Sequence, residues 1–568
     1  MSSRFESNTT TTTAVAKDRQ MNRELFGVFG DRDAFDRLRA REDFDDVLTG
    51  NGTTVGIRDS SLDHPRRSAR YEGPEGMCAV FGELIPPTGT DPDNTAEWLL
   101  DRFSRHGFAA LTGLNGSYIV VIDHDDERVV VTDPLRSWEC FYADVGGVRV
   151  FSTDPSTLTP LIDESDIDRE AVLEFLHLGT VLGTATVFDQ IRRVPFDGYL
   201  TATDTTELSR FVYEPRRFDY VDELATRLEQ AIERRAGLPG PRGLLLSGGK
   251  DSRVLLSKLD IDQCYTVGRP GSREVRAARK VAEQYGAAHE VLAPDDRYLR
   301  GGDAKIRCAQ GIKESLHIHH AGYDDEFDVA TMYHGALFDT LLKGYFLERD
   351  GVEMFGSKLP SKRLHPNPNP IDSLLDTLGF FPEASEHIAE ATGDLFGDLS
   401  VDDPTAFLQG RLSKELDKCW SRTDSVHNAM DLLVIRNQPV MPFRTHLADN
   451  YYESFIAADI DLLEWHLKTP PEHRHDGMFW EALERIDPSI FHHRPPSQPY
   501  SSTQLNQIER FVRRKVPVLE PFESAWPDRD DVYDCYEMDR ELFPTEESIH
   551  QLPVRQKLRV NDLRWWLK

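Results

Sequence analysis

Cysteine, lysine and long apolar runs are what this chain has least of. Its 568 residues hold six cysteines (Cys78, Cys140, Cys264, Cys308, Cys419 and Cys535), and no two form a CxxC pair. Neither a zinc ribbon nor a redox dithiol is therefore expected, and scattered single thiols fit a reduced, cytoplasmic chain. No stretch of about 18 apolar residues occurs, so no transmembrane helix is expected. The N-terminus, MSSRFESNTTTTTAVAKD, is polar and Thr-rich. Without an apolar h-region it does not read as a secretory signal. There is no internal repeat.

Lysine supplies only 15 of the 66 basic residues, and the other 51 are arginine. Against 97 acidic residues the formal charge is −31. Acid surplus with scarce lysine resembles proteins of salt-loving organisms with high internal salt. At roughly 1 M salt the Debye length is about 3 Å, so self-repulsion is screened. The acidity then describes the solvent more than a partner. No basic cluster stands out that would make a nucleic-acid groove, and nucleic acid is not expected as a partner. Hydrophobic residues at 39% and aromatics at 10% suffice for sizeable cores. The length allows two to four domains at roughly 100–200 residues each.

Residues 1–20 read as a disordered tail. From Met21 to about Asp204, short β runs such as Ser117–Asp123, Arg128–Asp133 and Val148–Asp154 are split by turn signals, which suggests antiparallel strands. From about Glu214, helical stretches such as Tyr220–Gly237 alternate with strand-like Gly243–Ser247 and Cys264–Gly268. That alternation argues for a parallel sheet flanked by helices. The fold class is thus α/β: a sandwich-like domain over 21–204, then a doubly wound parallel α/β domain over 214–568 whose C-terminal part is helical. Pro-rich Ser357–Asp372 reads as a surface loop. The closing helix, ending Arg564-Trp-Trp-Leu-Lys568, has aromatic and Leu spacing suited to docking on the core.

The most informative segment is Gly243–Ser257, which contains Ser247-Gly-Gly-Lys-Asp-Ser252. An apolar strand ends in Ser247-Gly248-Gly249, and a helix starts near Asp251 and Ser252. Two glycines let the backbone turn sharply and approach a ligand closely. Free N–H groups of the turn and first helical turn face an anion, helped by the helix dipole. The hydroxyls of Ser247 and Ser252 can donate to phosphate. Asp251 repels a phosphate unless a divalent cation lies between them, which implies Mg²⁺. The GxxxxGK[ST] pattern is absent, so this is not a Walker A loop.

That hexapeptide resembles the signature of the N-type ATP pyrophosphatases, the PP-loop enzymes, which cut ATP to AMP and pyrophosphate while adenylating a substrate. Within the superfamily the chain is most similar to asparagine synthetase and its relatives. Tyr265–Gly268 and Ser272–His289 resemble the next strand and helix of that family, which implies that Val267 lies near the adenine. His334–Tyr345 resembles the segment SGEGADELFGGY, matching at Gly335, Asp339, Leu341, Gly344 and Tyr345. Asp339 then falls on the aspartate that helps hold Mg-pyrophosphate. Pro442-Phe443 looks like the later PFLD region. The resemblance implies ATP contacts at Leu246, Ser247, Gly248, Gly249, Asp251, Ser252, Val267 and Gly335. It places Mg²⁺ on Asp251 and Asp339, the two catalytic carboxylates.

The first half agrees. Leu25–Gly30, Phe81–Leu84, Leu114–Asp123, Thr132–Tyr142 and Phe188–Gly198 resemble successive stretches of a class II glutamine amidotransferase domain, which implies an Ntn-type αββα sandwich. Such a domain uses its own N-terminal Cys as nucleophile. Arg23 stands at that position, behind 22 residues, and no Cys precedes Cys78. Phe81 replaces the Asn that holds the glutamine amide, and the DTE triplet reads Thr95-Ala96-Glu97. The domain therefore reads as a structural relic without glutaminase activity, similar in this respect to β-lactam synthetases. Two departures touch the second half. The Glu of SGEG is Ala336, and Arg494-Pro-Pro-Ser lies where the family's later RxK Lys belongs. Lys343 is a candidate substitute for that Lys, set against a reading as a solvated helix residue. The motif His317-Ile-His-His320 lacks a carboxylate or Cys to complete a recognisable metal set.

The reading is a cytoplasmic C–N ligase that uses ATP and Mg²⁺. A carboxylate is adenylated and passed to ammonia or an amine, with a separate glutaminase as one ammonia source and a homo-oligomer compatible with the sequence. A non-catalytic asparagine synthetase paralogue and an RNA-modifying PP-loop enzyme are the alternatives.

Overall fold

The computed structural model describes residues 20–162, 166–300, 302–354, 357–380, 382–438, 440–495, 500, 503–515 and 526–567. The tail expected over 1–20 falls outside them except for its last residue, as do 496 and 497 of the Arg494-Pro-Pro-Ser stretch.

The first half is built from twelve antiparallel strands in two sheets. β1 (Glu24–Val28), β2 (Asp46–Thr49), β3 (Thr54–Arg58), β4 (Ala69–Gly73), β5 (Gly76–Ile85), β6 (Asn115–His124), β7 (Glu127–Thr132), β8 (Phe141–Val145), β9 (Val148–Ser152), β10 (Arg192–Arg193), β11 (Gly198–Leu200) and β12 (Thr205–Glu207) follow in chain order. One sheet has the order β10-β8-β9-β1-β3-β2, the other β12-β11-β7-β6-β5-β4. The central strands β1, β3, β5 and β6 bury both faces, while β2, β4 and β12 are partly exposed. Leu25, Val55 and Ile57 of the first sheet meet Met77, Ala79, Phe81, Ile119 and Val121 of the second in one apolar layer. The outer face of the second sheet packs on the helix Thr95–His106. The outer face of the first packs on the helix Arg169–Leu178. Helix, sheet, sheet, helix is the order of layers the resemblance implies. The closing helix, Val554–Trp566, buries Val560, Leu563 and Trp566 against this same outer layer. The chain end thus straps the second half onto the first.

The second half centres on a parallel sheet. β13 (Arg242–Leu245), β14 (Gln263–Val267), β15 (Ala288–Leu292) and β16 (Thr331–Tyr333) come first. After a hairpin of β17 (Arg349–Met354) and β18 (Ser357–Leu364), β19 (Tyr452–Glu453) completes the sheet. Its order is β15-β14-β13-β16-β19, and every pairing is parallel. The chain runs outward from β13 to β15, then resumes on the other side at β16. Strand order therefore reverses between β13 and β16, and that is where open α/β sheets form a crevice at their carboxyl ends. From Pro370 on, the chain is mostly helical.

One local expectation is corrected. Ser357–Asp372 is not a loop throughout: Ser357–Leu364 pairs with β17, with Pro360 opposite Gly351. A two-stranded ribbon is all edge, so a proline without an N–H is tolerated there. The helix Pro370–Thr377 then takes Pro370 in its first turn, where a missing donor costs nothing.

Candidate functional site

The carboxyl end of β13 runs into Leu246–Lys250, and the helix Asp251–Lys258 begins directly after. This helix has no side-chain cap at its start, so its first N–H groups lack the partner that a Ser or Asp would give them. Ser252 turns its hydroxyl back on the loop instead, 3.3 Å from the Ser247 N–H and 3.5 Å from Ser247 Oγ. The Gly249 N–H donates to Ser247 Oγ at 3.2 Å. Arg253, wholly buried, donates to the Gly248 carbonyl at 2.8 Å and to the carbonyls of Ile490 and His493. Burial lowers its pKa to about 10. Gly248 is needed because a Cβ would sit 2.8 Å from Glu274 Cγ.

A cleft of about 610 Å³ opens at the strand-order reversal. Leu246, Ser247, Asp251, Ser252 and Val267 line it from the β13–β14 side, and Gly335, Ala336 and Asp339 from the β16 side. Gly248 and Gly249 form the turn beneath Ser247. The structure thus brings every residue singled out for ATP and metal into one neighbourhood.

The second wall is the turn His334–Leu337 and the helix Phe338–Lys343. Leu337 holds φ +66°, a left-handed conformation unusual for a bulky residue. Gly335 packs closely against the start of the helix Asp251–Lys258, and a Cβ there would lie 2.8 Å from Asp251 Cβ. Asp251 and Asp339, 88 positions apart, share one cation: Lys343 Nζ lies 2.5 Å from Asp251 Oδ1 and 2.7 Å from Asp339 Oδ1. The solvated-helix reading of Lys343 is therefore corrected. Its side chain is 9% exposed and bridges the two carboxylates. Burial works against its charge, but Asp251 and then Asp339 outweigh it and raise its pKa above the ordinary lysine value. Burial pushes Asp251 up to about 6 although Lys343 opposes this. The helix starts at Asp251 as expected, and the Asp251 side chain makes this pairing rather than a cap.

Two carboxylates aimed at one positive charge fit a hard divalent ion such as Mg²⁺. Among the described residues no group of three or more His, Cys, Asp or Glu could hold a metal. Among the described residues, a cation between Asp251 and Asp339 would thus meet no third His, Cys, Asp or Glu. That suits an ion completed by phosphate oxygens and water.

Several residues in the site carried no signal in the sequence. Glu453, on β19, is fixed between Arg444, at 3.1 Å, and His334 Nε2, at 2.8 Å. Burial alone would raise its pKa, but Arg444 and His334 bring it down to about 2. The Ala336 N–H donates to His334 Nδ1 at 3.2 Å, so His334 carries its proton on Nε2, facing Glu453. Gln438 donates to Thr340 Oγ1 at 3.3 Å, and its Oε1 is buried without a partner. Trp526 lines the cleft too, beside Phe443 and the His319 and His320 that the sequence offered only as an incomplete metal motif. Arg494 does not reach it and lies over the Trp480 ring, 5.8 Å from its centroid.

In the first half, Arg23 is buried. Its N–H donates to Asp449 Oδ1 at 2.8 Å, and its guanidinium meets Asp59 at 3.4 Å and donates to the Tyr451 carbonyl at 3.0 Å. Phe81 is fully buried, edge-on to Trp138 at 4.9 Å. Both are packing elements, Arg23 of the contact between the halves and Phe81 of the layer between the two sheets. Glu97 is an exposed residue of the helix Thr95–His106.

Residues 223–300 match the family model Asparagine synthase. The match spans β13, the loop, β14 and β15 with their helices. No curated protein sequence matches the chain. Two solved structures overlap it loosely. One is a glutamine phosphoribosylpyrophosphate amidotransferase from B. subtilis, 13% identical over 76% of this chain and 96% of that one, with a TM-score of 0.21. The other is described as the allosteric regulatory enzyme of purine biosynthesis, 12% identical over 50% and 77%, with a TM-score of 0.22. Overlaps this loose carry no structural argument. Among the described residues no helix is long and apolar enough to cross a membrane.

Proposed function

We propose that this asparagine-synthase-like chain is an AMP-forming amide synthetase without glutaminase activity of its own. The observation that carries the reading is the pair Asp251 and Asp339, held on one cation at the mouth of an uncapped Ser247–Ser252 loop. ATP and a small-molecule carboxylate are the substrates of the first step. The loop N–H groups, Ser247 and Ser252 bind the phosphate chain. Leu246 and Val267 give the base an apolar floor. Asp251 and Asp339 hold Mg²⁺, which when bound supplies neutralisation of the charge on departing pyrophosphate. Gly335 lets the second wall close on Asp251. The carboxylate oxygen attacks the α-phosphorus, and the acyl-adenylate is then opened by ammonia or an amine. Arg23 and Phe81 leave the first half no nucleophile and no amide pocket, so ammonia comes from solution or a separate glutaminase.

ATP–pyrophosphate exchange against a panel of L-aspartate, L-glutamate and D-glucuronate tests this. Exchange that depends on one carboxylate and is lost in Asp251→Asn supports it. ATP binding without exchange for any of them supports the second reading, a non-catalytic paralogue. That reading draws on Lys343 lying between the carboxylates and on Ala336.

A further inference from the structure

A net charge of −31 makes a surface pocket lined by cations alone unusual. Such a pocket, of about 350 Å³, lies between the helix Arg273–Tyr285 and the segment His492–Arg494. Arg273, Arg276 and Lys280 face it from the helix, and His492, His493 and Arg494 from the segment. Among the described residues Ala277 completes the lining, and no carboxylate does. The pocket shares no residue with the cleft. No run of sequence displays the cluster, because 212 positions separate Lys280 from His492.

The four fixed charges are unmatched. Arg276 donates to the Gly271 carbonyl and Arg494 lies over the Trp480 ring. Among the described residues neither these two nor Arg273 and Lys280 meet a carboxylate within ion-pair distance. Other exposed arginines of this half do: Arg297 pairs with Asp295 and Glu326, and Arg300 with Asp296 and Glu541. Arg276 and Lys280 stand one helical turn apart, a like-charge spacing that disfavours a helix. An anion between them reverses that sign. The crowding is felt at His493, whose pKa is held below the ordinary histidine value by burial, and then by His492, Lys280 and Arg253. The walls are also fixed in place. Arg253 ties the segment to the phosphate loop through the carbonyls of Ile490, His493 and Gly248. The Tyr285 hydroxyl donates to Asp487 and Gln284 Nε2 to the Ser489 carbonyl, both at 2.9 Å, which pins the far end of the helix to the same stretch. Cations on walls already ordered cost less to engage on binding.

We propose that this pocket binds an oligophosphate, a chain of two or three phosphate groups, at a site separate from the cleft. The proposal stands apart from the synthetase reading. Guanidinium forks match phosphate oxygens in bidentate pairs. A single phosphate, with about two charges at most, neutralises half of the four fixed cations. From Arg273 to Lys280 the helix rises about 10 Å, which a chain of phosphates spans and one tetrahedral anion does not. The lining holds no Phe, Tyr or Trp on which the bases of a single-stranded nucleic acid would stack. Its small volume and lack of apolar surface also leave little for a folded partner to grip.

Isothermal titration of the full chain with sodium tripolyphosphate tests it, with EDTA present so that no Mg²⁺ draws the anion to Asp251 and Asp339. At about 1 M KCl the Debye length is about 3 Å, so diffuse attraction is screened and direct contact survives. Binding should persist there at one anion per chain. Lys280→Gln and Arg494→Gln remove exposed cations of the pocket, and each should weaken binding about 10-fold. Arg540→Gln, the same charge change on a helix outside the pocket, should leave it unchanged. Ser252→Ala, in the cleft, should leave it unchanged too. GTP in place of tripolyphosphate separates two sources of the same chemistry. Tighter binding names a nucleotide and equal or weaker binding a free oligophosphate, provided Lys280→Gln weakens either. Loss of binding at about 1 M KCl, or equal loss in Arg540→Gln, overturns the proposal, because the attraction is then diffuse. Loss in Ser252→Ala alone overturns it by placing the anion in the cleft. A single-stranded oligouridylate that binds more tightly than tripolyphosphate at the same salt overturns it as well, and makes the face a nucleic-acid surface.

Discussion

Lys343→Met removes the cation from between two carboxylates, and its cost can be worked from exposure. The Lys343–Asp251 contact is largely buried, at 9% and 21% exposed. It falls between surface pairs, at about 0–1 kcal/mol, and fully buried ones, where losing a partner costs about 3–5 kcal/mol, so about 2 kcal/mol is reasonable. Asp339 is 62% exposed, and its leg adds only about 0.5 kcal/mol. At roughly 1–2 °C per kcal/mol for a unit of this size, the melting temperature should fall about 3–5 °C in EDTA. The site left behind is two facing carboxylates, so Mg²⁺ at a hundred times its Kd should restore about 2.7 kcal/mol, enough to cover the loss of about 2.5 kcal/mol. Differential scanning calorimetry of both proteins, with and without Mg²⁺ at matched ionic strength, reads this directly. Adding Asp339→Asn should abolish the Mg²⁺ response. If Lys343→Met melts with the unaltered protein in EDTA, or if Mg²⁺ shifts both equally, then the carboxylates do not share a cation site and the metal assignment fails.

Gly335→Ala places a Cβ 2.8 Å from Asp251 Cβ. The turn must retreat, so pyrophosphate exchange should fall about 10²-fold while the far-UV circular dichroism holds; unchanged exchange would show that the close approach is dispensable. Glutamate release from glutamine should stay at background, in the unaltered protein and in Arg23→Ala alike, because no thiol or hydroxyl stands at that position; release that survives Arg23→Ala but depends on another single residue would reveal a missed nucleophile. Glu453 has its folded pKa depressed to about 2, against about 4.3 for a free glutamate. Its contribution is therefore present above roughly pH 4.3 and lost as pH falls toward 2, about 3 kcal/mol at most. Glu453→Gln should flatten that acid limb, and a denaturant midpoint that changes with pH identically in both proteins would refute the pairing with Arg444 and His334.

The alternation of strand and helix, the turn glycines and the hexapeptide Ser247–Ser252 are local signals. Each is set by a few adjacent residues, through propensity or a backbone requirement, so the antiparallel half, the parallel half and the strand–turn–helix at Ser247–Ser252 are legible in the sequence. The absence of a nucleophile at Arg23 is legible for the same reason, since a residue type either can or cannot do the chemistry. Side-chain partnership is not local. Lys343 reads as a helix residue until packing sets Asp251, from an element 88 positions away from Asp339, against the same ammonium. His320 reads as an incomplete metal motif until the helix Met441–Asn450 brings His446 Nδ1 to 3.1 Å from its Nε2. Glu453 is one acid among many until β19 docks beside β16 and hands it to Arg444 and His334. Composition and spacing decided which fold and which loop would form. Only the closing of the sheet, which excludes water and puts distant charges within hydrogen-bond reach, decided which side chains share a proton or a cation.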